Sequence, residues 1–292
     1  MKLGAFNDDL HTDIRHAAAL AAERGLDGLA VRAVGGRNVA DLDTAEVPAI
    51  SRALAGQGLE VASIGSQFGR GLYVDDDTAQ ARATAHLQRA IRCAEICGTP
   101  LVRAFAGWLP GQEALTEWRR RPDGSGWVER VAAALYPGVR MAERAGVTLM
   151  FELEGASYAG TVDEARTIFD ALGSASVALC WDVCNGWWSG EAPFDGLARL
   201  GDLPVVDVQT KDVPAEEGDP KVASLGRAVV GQGDIGYDRL LPELMRSGYD
   251  GWVTAERVHH PVKPEEDLEA QGATLADIAA LQQILAPFGR RA

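Results

Sequence analysis

Residues 146–155 read Gly146-Val-Thr-Leu-Met-Phe-Glu-Leu-Glu-Gly155. A glycine closes a helix-like stretch, an apolar run follows, and a carboxylate stands late in that run. The glycine suits the left-handed residue that commonly ends a helix. The run Thr148–Gly155 has the length and composition of a buried strand. The same pattern recurs downstream. Asp182 stands late in Ala-Leu-Cys-Trp-Asp-Val-Cys-Asn, Gln209 in Pro-Val-Val-Asp-Val-Gln-Thr-Lys-Asp, and Glu256 in Gly-Trp-Val-Thr-Ala-Glu-Arg. An ionisable group in a buried strand is costly unless it is paired or bound to a metal. Three carboxylates and an amide, each late in a separate strand, point to one site for a hard divalent cation.

Strand-like runs appear at Lys2–Asn7, Gly28–Val34, Val61–Phe68, Pro100–Gly107, Thr148–Gly155, Val177–Asn185, Pro204–Asp212 and Gly251–Val258. Stretches of helical periodicity lie between them, among them Asp13–Arg24, Thr44–Gln57, Asp77–Cys97, Val128–Ala145 and Thr161–Leu172. Gly25, Gly58, Gly146 and Gly248 close helices as left-handed caps. Repeated strand–helix units imply a parallel sheet, and eight of them predict a (β/α)8 TIM barrel occupying residues 1–292 as a single domain. Such a barrel places its site at the C-terminal ends of the strands, where the four polar residues fall in strands five to eight. The longest irregular stretches, Trp108–Gly126 and Val213–Asp234, follow strands and are expected over the barrel mouth.

The chain of 292 residues is 47% hydrophobic, enough for a large core, and carries a net charge of −14. That balance disfavours nucleic acid and anionic membrane, both of which require clustered positive charge. The four cysteines, Cys93, Cys97, Cys180 and Cys184, lack zinc-ribbon spacing and read as buried thiols in a reducing, cytoplasmic setting. No apolar leader segment is visible at the N-terminus, and no apolar run reaches the roughly 18 residues of a membrane span.

Side chains alternate along a strand, so Glu152 shares a face with Glu154, Gln209 with Asp207 and Lys211, and Glu256 with Thr254. Three carboxylates plus one amide oxygen favour Mn²⁺ or Mg²⁺ over an imidazole- or thiolate-bound zinc.

Four segments carry a family resemblance: Gly146-Val-Thr-Leu-Met-Phe-Glu152, Trp181-Asp-Val-Cys-Asn185, Gln209-Thr-Lys-Asp212, and Gly231-Gln-Gly-Asp-Ile-Gly-Tyr237 followed by Gly248-Tyr-Asp-Gly-Trp-Val-Thr-Ala-Glu256. Together they resemble the sugar phosphate isomerase/epimerase superfamily, xylose isomerase-like barrels similar to inosose dehydratase and the ketose 3-epimerases. The resemblance implies a divalent metal held by Glu152, Asp182, Gln209 and Glu256, with Mn²⁺ the first expectation and Mg²⁺ or Co²⁺ the alternatives. It implies that Glu152 and Glu256 move a proton next to a substrate carbonyl, through an enediolate. The substrate is then a small sugar or keto-polyol. The chain departs from the pattern in three places. Gln209 replaces the usual His, Asn185 replaces the His that commonly ends the Asp motif, and Leu153-Glu154 replaces Asn-His.

Lys211 reads either as an oxyanion stabiliser or as the partner of Glu154 or Asp182. Arg103 lies inside strand four and needs an anion, either a substrate group or a carboxylate such as Glu152 or Glu154. Arg32 stands in an analogous position in strand two. Trp108, Trp187 and Trp188 follow strands, where flat faces suit sugars. His259 and His260 follow strand eight, where an imidazole could approach a substrate. Glu154 and Asn185 complete the candidate substrate contacts. The leading expectation is a metal-dependent isomerase or epimerase. A metal-dependent dehydratase of an inosose-like or dehydroshikimate-like keto-polyol is the alternative, and a non-catalytic sugar-binding barrel a remote one. A repair nuclease on this barrel would need more His than the chain's five and a basic groove. Exposed barrel helices leave a homo-oligomer open.

Overall fold

The computed structural model describes residues 1–111, 125–214, 228–256 and 268–289. Its eight main strands are β1 (Lys2–Phe6), β2 (Gly28–Val31), β3 (Glu60–Ile64), β4 (Leu101–Ala104), β5 (Thr148–Glu152), β6 (Val177–Asp182), β7 (Val205–Thr210) and β8 (Trp252–Ala255). Each pairs in parallel with its neighbours in chain order, and β1 pairs with β8 to close a barrel. The flanking helices are α1 (Ile14–Glu23), α2 (Val47–Ala55), α3 (Asp77–Cys97), α4 (Trp127–Ala145), α5 (Val162–Leu172), α6 (Val183–Trp188), α7 (Pro193–Leu200), α8 (Tyr237–Arg246) and α9 (Leu268–Leu285). None of the described helices is long and apolar enough to cross a membrane.

The local causes are visible in the side chains. Helix α4 buries Val131, Leu135, Val139 and Ala142 along one stripe and ends at Gly146, whose φ of 66° lies in the left-handed region. Helix α5 starts at a capping box, in which Thr161 and Glu164 each satisfy the other's backbone N–H. Every strand-like run in the sequence corresponds to a strand, but several end earlier. The second run stops at Val31, because Ala33–Val34 turns back as a short hairpin with Arg37–Asn38. The sixth stops at Asp182, whose Oδ1 accepts the Asn185 N–H at 2.9 Å and starts α6. Asn185 is therefore helical, and the expectation of a strand reaching it is corrected. The fifth run stops at Glu152, so alternation no longer governs Glu154. Its Oε1 instead accepts the Ala156 N–H at 3.3 Å within a turn.

Inside the barrel the alternating residues form layers. The Trp252 ring lies against Gly4 and Gly28, and a Cβ on Gly28 would meet it at 2.8 Å. That indole fills the end of the barrel nearest the strand starts. One layer up, Thr254 Oγ1 donates to Asp207 Oδ1 at 2.7 Å beside Cys180. The opposite end carries the charged side chains.

Candidate metal centre at the barrel mouth

Register brings these charges together. Asp182 stands opposite Gln209 across β6 and β7, and Gln209 opposite Thr254 across β7 and β8. Glu152 closes β5, and Glu256 follows β8 directly. Glu152, Asp182 and Glu256 each present an oxygen within 4.8 Å of the others, a grouping that could hold a metal ion. All three are buried.

Each carboxylate already has a cation or an N–H against it. Glu152 Oε2 accepts Arg103 Nη1 at 3.0 Å, and its Oε1 lies 3.5 Å from Asn185 Nδ2. Asp182 Oδ2 is in contact with Lys211 Nζ, which also lies 2.6 Å from Glu256 Oε2. Glu256 Oε1 accepts Arg32 Nη1 at 3.0 Å, while Arg32 holds Asp8 and Asp9 with its other nitrogens. Phe6 lies under both arginines, 4.3 Å from Arg32 and 5.3 Å from Arg103.

The electrostatics are unequal. Burial raises the pKa of Glu152, and Arg103 offsets only part of that. Burial likewise raises Asp182, with Glu256 and Glu152 adding to the effect of burial and Lys211 opposing it. Burial also works against ionised Glu256, but Lys211 and Arg32 outweigh it and hold that pKa down at about 2. Lys211 is buried too, and Asp182 and Glu256 keep it charged far above the usual lysine range.

Gln209 has the most telling environment. It is fully buried, and neither its Oε1 nor its Nε2 has a hydrogen-bond partner among the described residues. A buried unpaired amide costs about 1–3 kcal/mol. A cation between Gln209 and the three carboxylates would use the free Oε1 and favour the ionised forms of Glu152 and Asp182. The donor set fits a hard divalent ion.

Arg103 pairs with Glu152, and its Nη2 is buried without a partner among the described residues. Lys211 pairs with Asp182 and Glu256; among the described residues no ion pair joins it to Glu154. Asn185 Nδ2 donates to the Leu153 carbonyl at 2.8 Å, tying α6 to the end of β5. Trp108 packs edge-on against Phe105, with the Arg70 guanidinium 5.5 Å from its ring. Trp187 and Trp188 both pack against the apolar core, and the Trp188 ring lies 5.8 Å from Lys211 Nζ. His259 and His260, and most of the two long loops, lie outside the described residues.

Sequence reasoning passed over Asp8 and Asp9, although two acids directly after β1 repeat the strand-end signal. It also left Asp212 without a task. That carboxylate accepts N–H groups from Val213, Gly231, Gly233 and Ile235, at 2.9–3.3 Å. The sequence motifs around Asp212 and Gly231 are thus one physical unit.

A closed eight-stranded parallel barrel with carboxylates at its C-terminal mouth defines a class, and the sequence places the chain within it. Residues 18–280 match the family described as xylose isomerase-like TIM barrel, and the chain belongs to that family. No curated protein matches the sequence significantly. Among solved structures, a probable 3-DHS dehydratase involved in petrobactin synthesis, from Bacillus anthracis, superposes with a TM-score of 0.72 at 15% identity, covering 97% of this chain and 99% of that one. An L-ribulose 3-epimerase gives 0.73 at 18% identity, over 98% of this chain and 95% of that one. A xylose isomerase-like barrel from Mycobacterium smegmatis in complex with magnesium gives 0.69 at 18%, over 94% and 88%. At such identities the likeness is one of fold.

Proposed function

We propose that the chain is a divalent-metal-dependent isomerase or epimerase of a small sugar, working by proton abstraction next to a carbonyl. The observation that carries this reading is the Gln209 amide, unpartnered among the described residues, beside three convergent buried carboxylates. Glu152, Asp182, Gln209 and Glu256 would hold the metal, with Mn²⁺ or Mg²⁺ suited to the all-oxygen set. A bound metal would polarise the substrate carbonyl and acidify the neighbouring C–H.

The chain's own residues supply the rest. Glu152 and Glu256, two of the three convergent carboxylates, would take a proton and return it, while Asp182 and Gln209 would serve as anchors. The buried Arg103 Nη2, unpartnered among the described residues, would orient a substrate oxygen beside Glu152. Trp108 would present an aromatic face at the mouth, and Glu154, Asn185, Trp187 and His259 remain candidates for substrate contact.

A second reading is a dehydratase of a keto-polyol, the kind of enzyme the neighbouring probable 3-DHS dehydratase is described as. Epimerisation asks for a competent carboxylate on each side of the substrate, whereas elimination needs one base and an acid for the departing hydroxyl. Product mass separates the two. Incubation of Mn²⁺-loaded protein with ketoses and keto-inositols is expected to give an isobaric product. Loss of a water mass would move the assignment to the dehydratase. No turnover of either substrate class, with Glu152→Gln indistinguishable from wild type, would leave a binding protein.

A further inference from the structure

Lys211 is placed where a metal would compete with it. Asp182 and Glu256 each have one oxygen committed to a fixed donor. Asp182 Oδ1 accepts the Asn185 backbone N–H at 2.9 Å, and Glu256 Oε1 accepts Arg32 Nη1 at 3.0 Å. The other oxygen of each, Asp182 Oδ2 and Glu256 Oε2, is held by Lys211 Nζ. A divalent ion joining Asp182 to Glu256 would draw on the oxygens that the ammonium now holds. Two cations cannot share that position, because like charges a few ångströms apart in a poorly screened interior repel strongly.

The Lys211 N–H donates to the Tyr237 hydroxyl at 3.4 Å, and Tyr237 is itself fully buried, so the backbone here is held by a contact that does not involve the ammonium. The Trp188 ring lies 5.8 Å from Nζ, an aromatic face that a displaced ammonium can approach.

We propose that Lys211 is a built-in counter-ion. Its ammonium occupies the Asp182–Glu256 pair in the metal-free protein, and a divalent cation must displace it in order to bind. The inference rests on the metal site proposed above. It gives the lysine a task separate from chemistry, namely balancing the charge of the carboxylates while limiting affinity for the metal.

The test is calorimetric titration of Mn²⁺ into chelator-treated wild type and Lys211→Met, with melting temperatures of both proteins with and without Mn²⁺. The expected result is at least 10-fold tighter Mn²⁺ binding by Lys211→Met, together with a lower melting temperature without metal that recovers on saturation. Equal or weaker binding by the variant, with wild type binding normally, overturns the counter-ion and leaves the metal site standing. Binding by neither protein overturns both. Differential acetylation of the wild type, read by mass spectrometry, is independent of whether the variant folds. Lys211 is expected to label faster with Mn²⁺ present, and an unchanged or slower rate overturns the displacement.

Discussion

Gln209 stands directly opposite Asp182 in the ladder between β6 and β7, and its amide is buried with both polar atoms unpartnered among the described residues. An amide kept in that state lowers stability unless something occupies the space before it. Gln209→Leu removes the unpaired amide, so chelator-treated protein should be equally stable or more stable, by about 1–3 kcal/mol. The same change should weaken Mn²⁺ binding at least about 10-fold. Urea unfolding and calorimetry measure the two effects. Loss of stability without metal would show that Gln209 serves the fold rather than a cation.

Arg103 and Glu152 form a buried pair at 3.0 Å. Breaking such a pair from one side strands the other charge and costs about 3–5 kcal/mol. Arg103→Met should destabilise the metal-free protein by that order. Saturating Mn²⁺ should recover part of the loss, because a metal would give Glu152 another cation. Thermal unfolding with and without Mn²⁺ reads both numbers. A loss that metal does not reduce would place Glu152 outside the metal's reach.

Asp207 lies one layer below the mouth, and burial raises its pKa from 3.8 to about 7. The folded chain therefore keeps a proton that the unfolded chain releases between about pH 4 and 7. Stability contributed by this group is complete below pH 4 and is lost as pH rises towards 7. The total is on the order of 4 kcal/mol at 1.36 kcal/mol per pH unit. Asp207→Asn should flatten that slope and gain on wild type as pH rises. Denaturant unfolding at pH 5 and pH 8, in chelator, checks it; parallel curves would contradict it.

Gly233 packs so tightly that a Cβ would lie 2.3 Å from both Asp212 Oδ1 and the Val213 carbonyl. Gly233→Ala should cost roughly 1–3 kcal/mol by overpacking. The Asp212 carboxylate should also lose its grip on the loop N–H groups, seen as faster amide exchange at Gly231 and Ile235.

The barrel was legible because each strand is a compact apolar run and most of the helices stop at a glycine or start at a cap. Helix Asp77–Cys97 was readable to both ends, since Asp76 caps it and Gly98 ends it with φ 72°. The convergence of Glu152, Asp182 and Glu256 followed from topology, because parallel neighbours place equivalent strand ends side by side. What stayed hidden depends on side chains choosing partners across the barrel. Arg32 could have served strand, substrate or acid, and nothing local says that it spans Asp8, Asp9 and Glu256. Asn185 looked like strand because Asp182 interrupts the run with a helix cap that resembles a metal ligand. Trp187 and Trp188 are adjacent and chemically alike, and only the turn of α6 decides which one lies near Lys211.

One divalent cation is proposed to bind among Glu152, Asp182, Gln209 and Glu256. The most direct measurement is an anomalous difference map from crystals saturated with Mn²⁺. A single peak is expected within about 2.5 Å of oxygens from all four side chains, with Lys211 Nζ moved off Asp182 and Glu256. A saturated crystal with no peak there, and with the lysine still between the two carboxylates, would contradict it.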